Sequence, residues 1–268
     1  MRKTVVSILA LLTLLNSELL LAQRSSDTSY IIAPVSIQRL IVPGKAPVFT
    51  FQISGFYNIG LMDLAANDNT NFNKANFVGG RDFGTRYGYG VGFTGKLALH
   101  KKGNLRLTFS GFYNRFQSNF VISKSPEGKA AYNLYSGGLG IENNFTPDKQ
   151  FKYYIGLEIV PSLINGNATL QTDTLDFKLK IKNSFRIGLS ANLGMEFAFN
   201  NYFGINLGMK FVHVNVLLRE SKKSSNPYET YLNDEKTTAI IPYAGWKQFF
   251  YASFYTGFNI YFGMKNKK

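Results

Sequence analysis

Apolar residues recur at every second position through long stretches of this chain, and that spacing decides what it can fold into. In Tyr87-Gly88-Tyr89-Gly90-Val91-Gly92-Phe93 and on to Lys96-Leu97-Ala98-Leu99, the odd positions other than Gly95 are apolar and the even ones small or charged. Successive strand residues point to opposite faces, so a period of two gives a sheet with one apolar face. The pattern returns at residues 49–53, 105–109 and 139–141. It returns again where Phe151, Tyr153, Ile155, Leu157 and Ile159 alternate with Lys152, Tyr154, Gly156 and Glu158, and in residues 185–197, 203–211 and 250–262. Outside the first residues there is no sustained helical period, and eight strands result.

Connection lengths give the strands an order. The segments at residues 100–103, 146–150 and 200–201 are short, whereas those at 61–84, 117–130, 164–183 and 218–247 are long. Short and long alternate strictly, as the periplasmic turns and extracellular loops of outer-membrane barrels do. The sequence therefore predicts an all-β, antiparallel up-and-down transmembrane β-barrel of about eight strands.

The N-terminus reads as a Sec leader. Arg2 and Lys3 precede an apolar run over residues 5–15, and Leu20-Leu21-Ala22 offers a cut before Gln23. An anchor helix needs about 20 apolar residues in a row, and Asn16-Ser17-Glu18 interrupts this run. The expected organisation is a signal peptide (residues 1–22), a periplasmic segment (23–47), the barrel (48–263) and a basic tail (264–268). Pro34 and Pro43 favour a periplasmic stub over an additional strand at residues 30–42.

With no cysteine in the chain, lipoprotein acylation, disulfide stapling and thiolate chemistry are excluded. Loss of the leader, with Arg2, Lys3 and Glu18, lowers the formal charge from +14 to +13. A balance this basic favours anionic partners.

The polar face separates a membrane barrel from a soluble one. It is mostly Gly, Ser, Thr and Asn with few charges, whereas a water-facing sheet would be dense in Lys and Glu. It therefore points inward. Eight strands leave room only for side chains, so its charges should be paired. Arg86, Lys96, Arg106, Lys152, Arg186 and Lys210 share that face with Glu142, Glu158 and Glu196. Counting from the turns matches Arg106 with Glu142 and Lys152 with Glu196, and puts Glu158 and Lys210 mid-barrel. The expected role of this network is lumen packing. Phe49, Phe145, Phe151, Phe199, Phe203 and Phe262 fall at the ends facing the short turns, where an interfacial girdle belongs.

Residues 48–263 resemble the small eight-stranded outer-membrane barrels typified by OmpA and OmpX, in architecture and without a diagnostic motif. The sequence departs from them at the end, where Phe262 is followed by six further residues. The Asn-, Tyr-, Phe- and Lys-rich style and the Ala22-Gln23 junction resemble Bacteroidetes-type proteins. The resemblance implies the outer membrane of a Gram-negative bacterium.

Candidate sites are few. Gly90-Val91-Gly92-Phe93-Thr94-Gly95 matches the dinucleotide fingerprint G-x-G-x-x-G, but that motif needs a helix after it, and here it lies within a strand. The histidines are His100, in a periplasmic turn, and His213, which shares parity with lipid-facing Phe211 and lacks the serine that the lipid A deacylase pattern would place two residues on. No catalytic set, metal site or cofactor follows. Residues 175–182 continue the alternation beyond what is needed to cross a membrane, so they should protrude and pair with residues 168–171 across a turn near Asp173. The resulting fin carries Lys178, Lys180 and Lys182 on one face, and the last loop adds Arg219, Lys222 and Lys223. Together these are the candidate extracellular interaction surface, with exposed strand edges able to recruit a partner strand.

The leading reading is a non-enzymatic surface barrel, structural or interacting through its long loops. Its expected partners are outer-membrane lipid and lipopolysaccharide, with a protein partner at the loops or periplasmic segment and no nucleic acid, and it should be a monomer. The alternatives are an accessory component of a secretion or assembly complex and, behind it, a lipid A-modifying enzyme.

Overall fold

The structure is a computed structural model that describes residues 46–65, 83–121, 127–172, 175–222, 224–236 and 245–264. The leader, nearly all of the expected periplasmic segment including residues 30–42, Asp173, Lys223 and the last four residues of the tail lie outside them.

Among the described residues nine strands follow one another: β1 (Phe49–Leu61), β2 (Tyr87–Ala98), β3 (Leu105–Val121), β4 (Glu127–Asn144), β5 (Phe151–Thr172), β6 (Leu175–Ala198), β7 (Phe203–Leu217), β8 (Glu229–Thr230) and β9 (Phe250–Phe262). Eight of them form an antiparallel meander that closes on itself, since β9 pairs with β7 on one side and with β1 on the other. The ninth, β8, lies outside the ring and pairs in parallel with β6 through Lys180↔Glu229 and Ile181↔Thr230. The fold is an antiparallel up-and-down barrel of eight strands.

The two faces differ as the alternation requires. Val91, Leu157 and Phe258 on the outer wall are 62%, 62% and 71% exposed, whereas the intervening Thr50, Asn58, Arg106, Lys152, Arg186 and Glu196 are almost wholly buried. An apolar surface that encircles the molecule cannot face water without association. The 13 residues of β1, at about 3.3 Å per residue and a tilt near 45°, rise about 30 Å, the thickness of a bilayer's hydrocarbon core. Aromatic residues mark both rims. Phe49 meets Phe109 and Phe262 at the short-turn end, with ring centroids 6.1 and 5.7 Å apart. At the other end Tyr57 stacks on Tyr87 and Tyr113 meets Tyr135, at 6.3 and 5.1 Å.

Two of the expected long connections are largely strand, the one at residues 164–183 as the paired fin that the alternation predicts. β5 and β6 run 22 and 24 residues and stay paired out to Thr172↔Leu175. β3 and β4 remain paired to Val121↔Glu127, and β4 pairs with the extension of β5 as far as Glu127↔Gln171. A four-stranded sheet thus continues past the apolar wall.

Two irregularities re-aim side chains. Between Ile164↔Ser184 and Gly166↔Ile181 the β6 strand carries one extra residue, a bulge that inverts its facing. Below it Ser184 and Arg186 point inward. Above it Leu179 and Ile181 are buried and Lys178 and Lys180 are exposed. Between Ile187↔Leu217 and Leu189↔His213, β7 carries two extra residues, and both Val214 and Asn215 turn into the barrel. The fingerprint-like glycines sit inside β2 with no helix following. A Cβ on Gly90 would lie 1.9 Å from Asn114 Oδ1, so close packing between strands explains that glycine.

Candidate functional site

The lumen is filled in layers. Nearest the short turns, Lys96 (β2), Arg106 (β3), Glu142 (β4) and Glu196 (β6) form a closed set in which each cation touches both carboxylates. The Arg106 guanidinium bonds Glu142 and, at 2.8 Å, Glu196, while the Lys96 ammonium lies 2.8 Å from Glu196 and 3.2 Å from Glu142. All four side chains are at most 2% exposed. Lys96 also stands 3.9 Å from the centre of the Tyr154 ring. The Tyr154 hydroxyl donates to Asn206 at 2.8 Å and meets the Tyr255 hydroxyl at 2.7 Å; Asn206 donates on to Gln52 at 2.7 Å. This chain crosses from β5 to β1.

Mid-barrel, Lys210 pairs with Glu158 at 2.6 Å, and Ser110 and Ser190 donate to the same carboxylate at 3.2 and 3.4 Å. Between this pair and the four-charge layer, Gln52, Lys96, Glu142 and Lys210 help line a void of about 10 Å³. That is the space of a single water. Further out the lining turns apolar, with Phe116, Tyr132, Leu134, Ile164, Val212 and Phe249 in one buried cluster.

The last connection closes the outer mouth. Asp234, wholly buried, accepts a 2.7 Å bond from Arg186 and another of 2.7 Å from Asn215. The Asn215 side-chain oxygen Oδ1 accepts from the Phe249 amide at 2.8 Å, and the Arg186 guanidinium reaches the Leu232 carbonyl at 3.1 Å. Asp63, just past β1, holds the same segment from the other side through Lys236 at 2.7 Å and the Gln248 amide at 2.8 Å.

The positions singled out from sequence fall into several groups. Arg106, Glu142 and Glu196 share one layer, and Glu158 and Lys210 share another. Lys152 does lie opposite Glu196 in register, but its ammonium bonds the Lys149 carbonyl and stands 5.5 Å from the Tyr261 ring. Glu196 is taken by Lys96 and Arg106, which approach across the lumen from strands that are not its neighbours. Arg186 belongs to the outer cap with Asp234. Arg86 is exposed, its guanidinium 5.7 Å from the Tyr87 ring, and is not part of the lumen. Asp234, Asn215 and Lys247, all buried, had no periodicity to mark them, because they sit in or beside an irregular segment.

The outer cations do not form one surface. Lys182 lies 3.0 Å and Lys180 3.9 Å from the Glu229 carboxylate, so β8 covers part of the strand edge that was expected to be open. The Lys182 hydrogen bond holds the Glu229 carboxyl below its ordinary range, and Glu229 raises Lys182 in turn. Arg219 donates to Gln248 at 3.0 Å and stands 5.9 Å from the Trp246 ring. Lys222 pairs with Glu220 at 3.0 Å. Only Lys178 and Lys180 of this set are exposed on the sheet extension.

His213 packs edge-on against Phe250, centroids 5.9 Å apart. It borders a shallow outer groove whose outward side chains include Leu139, Ile159, Leu189 and Phe211; Glu158 and Ser190 also border it, but their side chains are buried and bonded to each other within the lumen. No cluster of His, Asp and Glu among the described residues could hold a metal ion.

No protein-family model matches this chain, and no curated protein is detectably similar to it. Solved structures similar to it include small outer-membrane barrels. Neisserial surface protein A is 15% identical with a TM-score of 0.43, over 81% of this chain and 99% of that one. Ail, the attachment invasion locus protein of Yersinia pestis, is 10% identical with a TM-score of 0.37, over 81% and 98%. The outer membrane protein OprG from Pseudomonas aeruginosa is 11% identical with a TM-score of 0.40, over 82% and 99%. These likenesses are distant, and what those proteins do does not transfer to this chain.

Proposed function

We propose that this chain is a surface barrel of a Gram-negative outer membrane. It is exported by a cleaved leader, held in the bilayer by its apolar wall, and neither an enzyme nor a channel. The observation that carries the reading is the contrast between interior and outer end: the lumen is sealed by paired charges and an apolar plug, while four strands run on beyond the wall as a sheet with a polar outward face. A sealed lumen passes no solute. The sheet extension and the cap are then the parts that meet other molecules.

The absence of cysteine makes the topology directly testable. Lys178→Cys should react with a membrane-impermeant maleimide on intact cells, and His100→Cys only after the envelope is opened. Labelling in the reverse order would overturn the orientation. In planar bilayers the purified barrel should give no stable conductance, and reproducible open channels would overturn the sealed-lumen reading.

A further inference from the structure

The outward face of the sheet extension is organised in register. Its lowest row runs Arg115–Asn133–Asn165 across β3, β4 and β5 and continues on β6 at the bulge with Lys182 and Asn183. The next row is Gln117–Ala131–Asn167–Lys180, and above it stand Lys129–Thr169–Lys178. The row beneath all three is Tyr113–Tyr135–Leu163–Phe185. The change from apolar to cationic therefore takes a single step along the strands.

At about 4.8 Å between strands and about 6.7 Å between same-face rows, the three rows cover roughly 14 Å by 14 Å. This is the footprint of a two-sugar headgroup. Lys129, Lys178 and Lys180 are exposed, and among the described residues no carboxylate lies in these rows. Acids border the rows without interrupting them: Glu229, on the added strand β8, lies 3.0 Å from Lys182 and 3.9 Å from Lys180, and Glu127 and Asp176 stand in register with Gln171 in the next row out.

The amides of the lowest row are already oriented. The Tyr113 hydroxyl donates to Asn133 at 2.9 Å, Asn133 donates to Asn165 at 3.1 Å, and Asn165 donates to Asn183 at 3.0 Å. Each carbonyl oxygen in the chain accepts from the group before it, so the chain is polarised. It ends on the NH₂ group of exposed Asn183, beside the lysines, with hydrogens to donate. Cations and amide donors fixed together suit phosphate and sugar hydroxyl oxygens.

We propose that this face binds the phosphorylated headgroup of a glycolipid in the surrounding outer leaflet. The proposal rests on the membrane placement given above. The occupant is a lipid because the first cationic row adjoins the last apolar one, which is where the headgroups of a bilayer flanking that wall lie. Lysines near an anionic membrane surface add attraction that falls off within a Debye length.

The test uses the full mature chain folded into phosphatidylcholine vesicles containing a minor fraction of lipid A, with or without its phosphates. After detergent extraction, lipid bound per barrel is counted by native mass spectrometry. The wild-type chain should retain phosphorylated lipid A and release the dephosphorylated form. The triple variant Lys129→Gln, Lys178→Gln, Lys180→Gln should retain it about a hundredfold more weakly, whereas Lys101→Gln with Lys102→Gln, in a turn at the opposite end, should match wild type. Equal retention of the dephosphorylated lipid, or unchanged retention by the triple variant, would sink the proposal. So would capture of the chain on poly-glutamate beads without lipid A retention, which assigns the face to an acidic polypeptide. Failure of the membrane placement itself shows separately, as a chain that does not float with vesicles of phosphatidylcholine alone.

Discussion

Replacing Glu196 by glutamine removes one of two carboxylates from a buried layer that contains two cations. Lys96 and Arg106, each touching both Glu142 and Glu196, are left with Glu142 alone, and one positive charge loses its partner where all side chains are at most 2% exposed. Breaking a buried pair from one side costs about 3–5 kcal/mol, because the remaining charge stays desolvated. With a urea slope of about 2 kcal/mol per molar, the unfolding midpoint of the barrel in vesicles should fall by about 2 M. The companion variant Lys96→Met also unbalances the layer and should lose stability by itself. Combined with Glu196→Gln, however, it leaves Arg106 facing Glu142, a neutral pair. The double variant should then be at least about 2 kcal/mol more stable than the two single losses added together. Two outcomes would refute the reasoning: a loss below about 1 kcal/mol for Glu196→Gln alone, or strict additivity in the double variant. Either would mean that water reaches the layer and the lumen is not sealed there.

The cap offers a second test: Asp234→Ala leaves the wholly buried Arg186 with only the more distant Glu220 carboxylate, at 4.0 Å, so the variant should lose about 3 kcal/mol and become sensitive to protease within residues 231–236 while the barrel strands stay intact. The contact of β8 with β6 should depend on pH. The Glu229 carboxyl is lowered by Lys182, so its contribution is present above the ordinary carboxylate range and is lost as pH falls through the depressed value. Lys182 is raised and loses its share only as pH climbs through that raised value, above the ordinary lysine range. Hydrogen exchange at the Lys180 amide, which donates to the Tyr228 carbonyl at 2.9 Å, should accelerate in acid beyond its intrinsic pH dependence, and Lys182→Gln should abolish that excess. On the outer wall, Leu157→Lys should destabilise folding in vesicles by about 2–4 kcal/mol if the site is near the bilayer midplane; tolerance of the lysine in equilibrium unfolding would argue that the wall does not face lipid.

Strand identity and facing were legible because alternation survives along each strand between bulges. Leu157 and Glu158 read as outward and inward from the sequence and lie so in the structure. Pairing across the lumen was not legible. Register links neighbours only and so sets Lys152 opposite Glu196, whereas closure of the ring brings in Lys96 and Arg106 from β2 and β3. The cap was equally hidden. Asp234 and Asn215 are buried by a segment without period and by two extra residues in β7, and neither feature leaves a mark that a count of alternating positions can find.

The β6 bulge ties the two ends of the chemistry together. By parity alone Lys178, Lys180 and Lys182 belong with Ser184 and Arg186, which face the lumen, and Leu179 and Ile181 belong with Phe185, which faces outward. One extra residue between Ile181 and Ser184 exchanges the two sets. Ile181 joins the apolar cluster that plugs the mouth, and Lys178 and Lys180 come to the outer face. Without that residue the lysines would have to be paired inside a mouth whose carboxylate, Asp234, is already held by Arg186 and Asn215, and two large apolar side chains would stand among the polar rows. A single inserted position thus completes the seal of the lumen and builds the cationic face, so that the closed interior and the binding surface are consequences of the same local geometry.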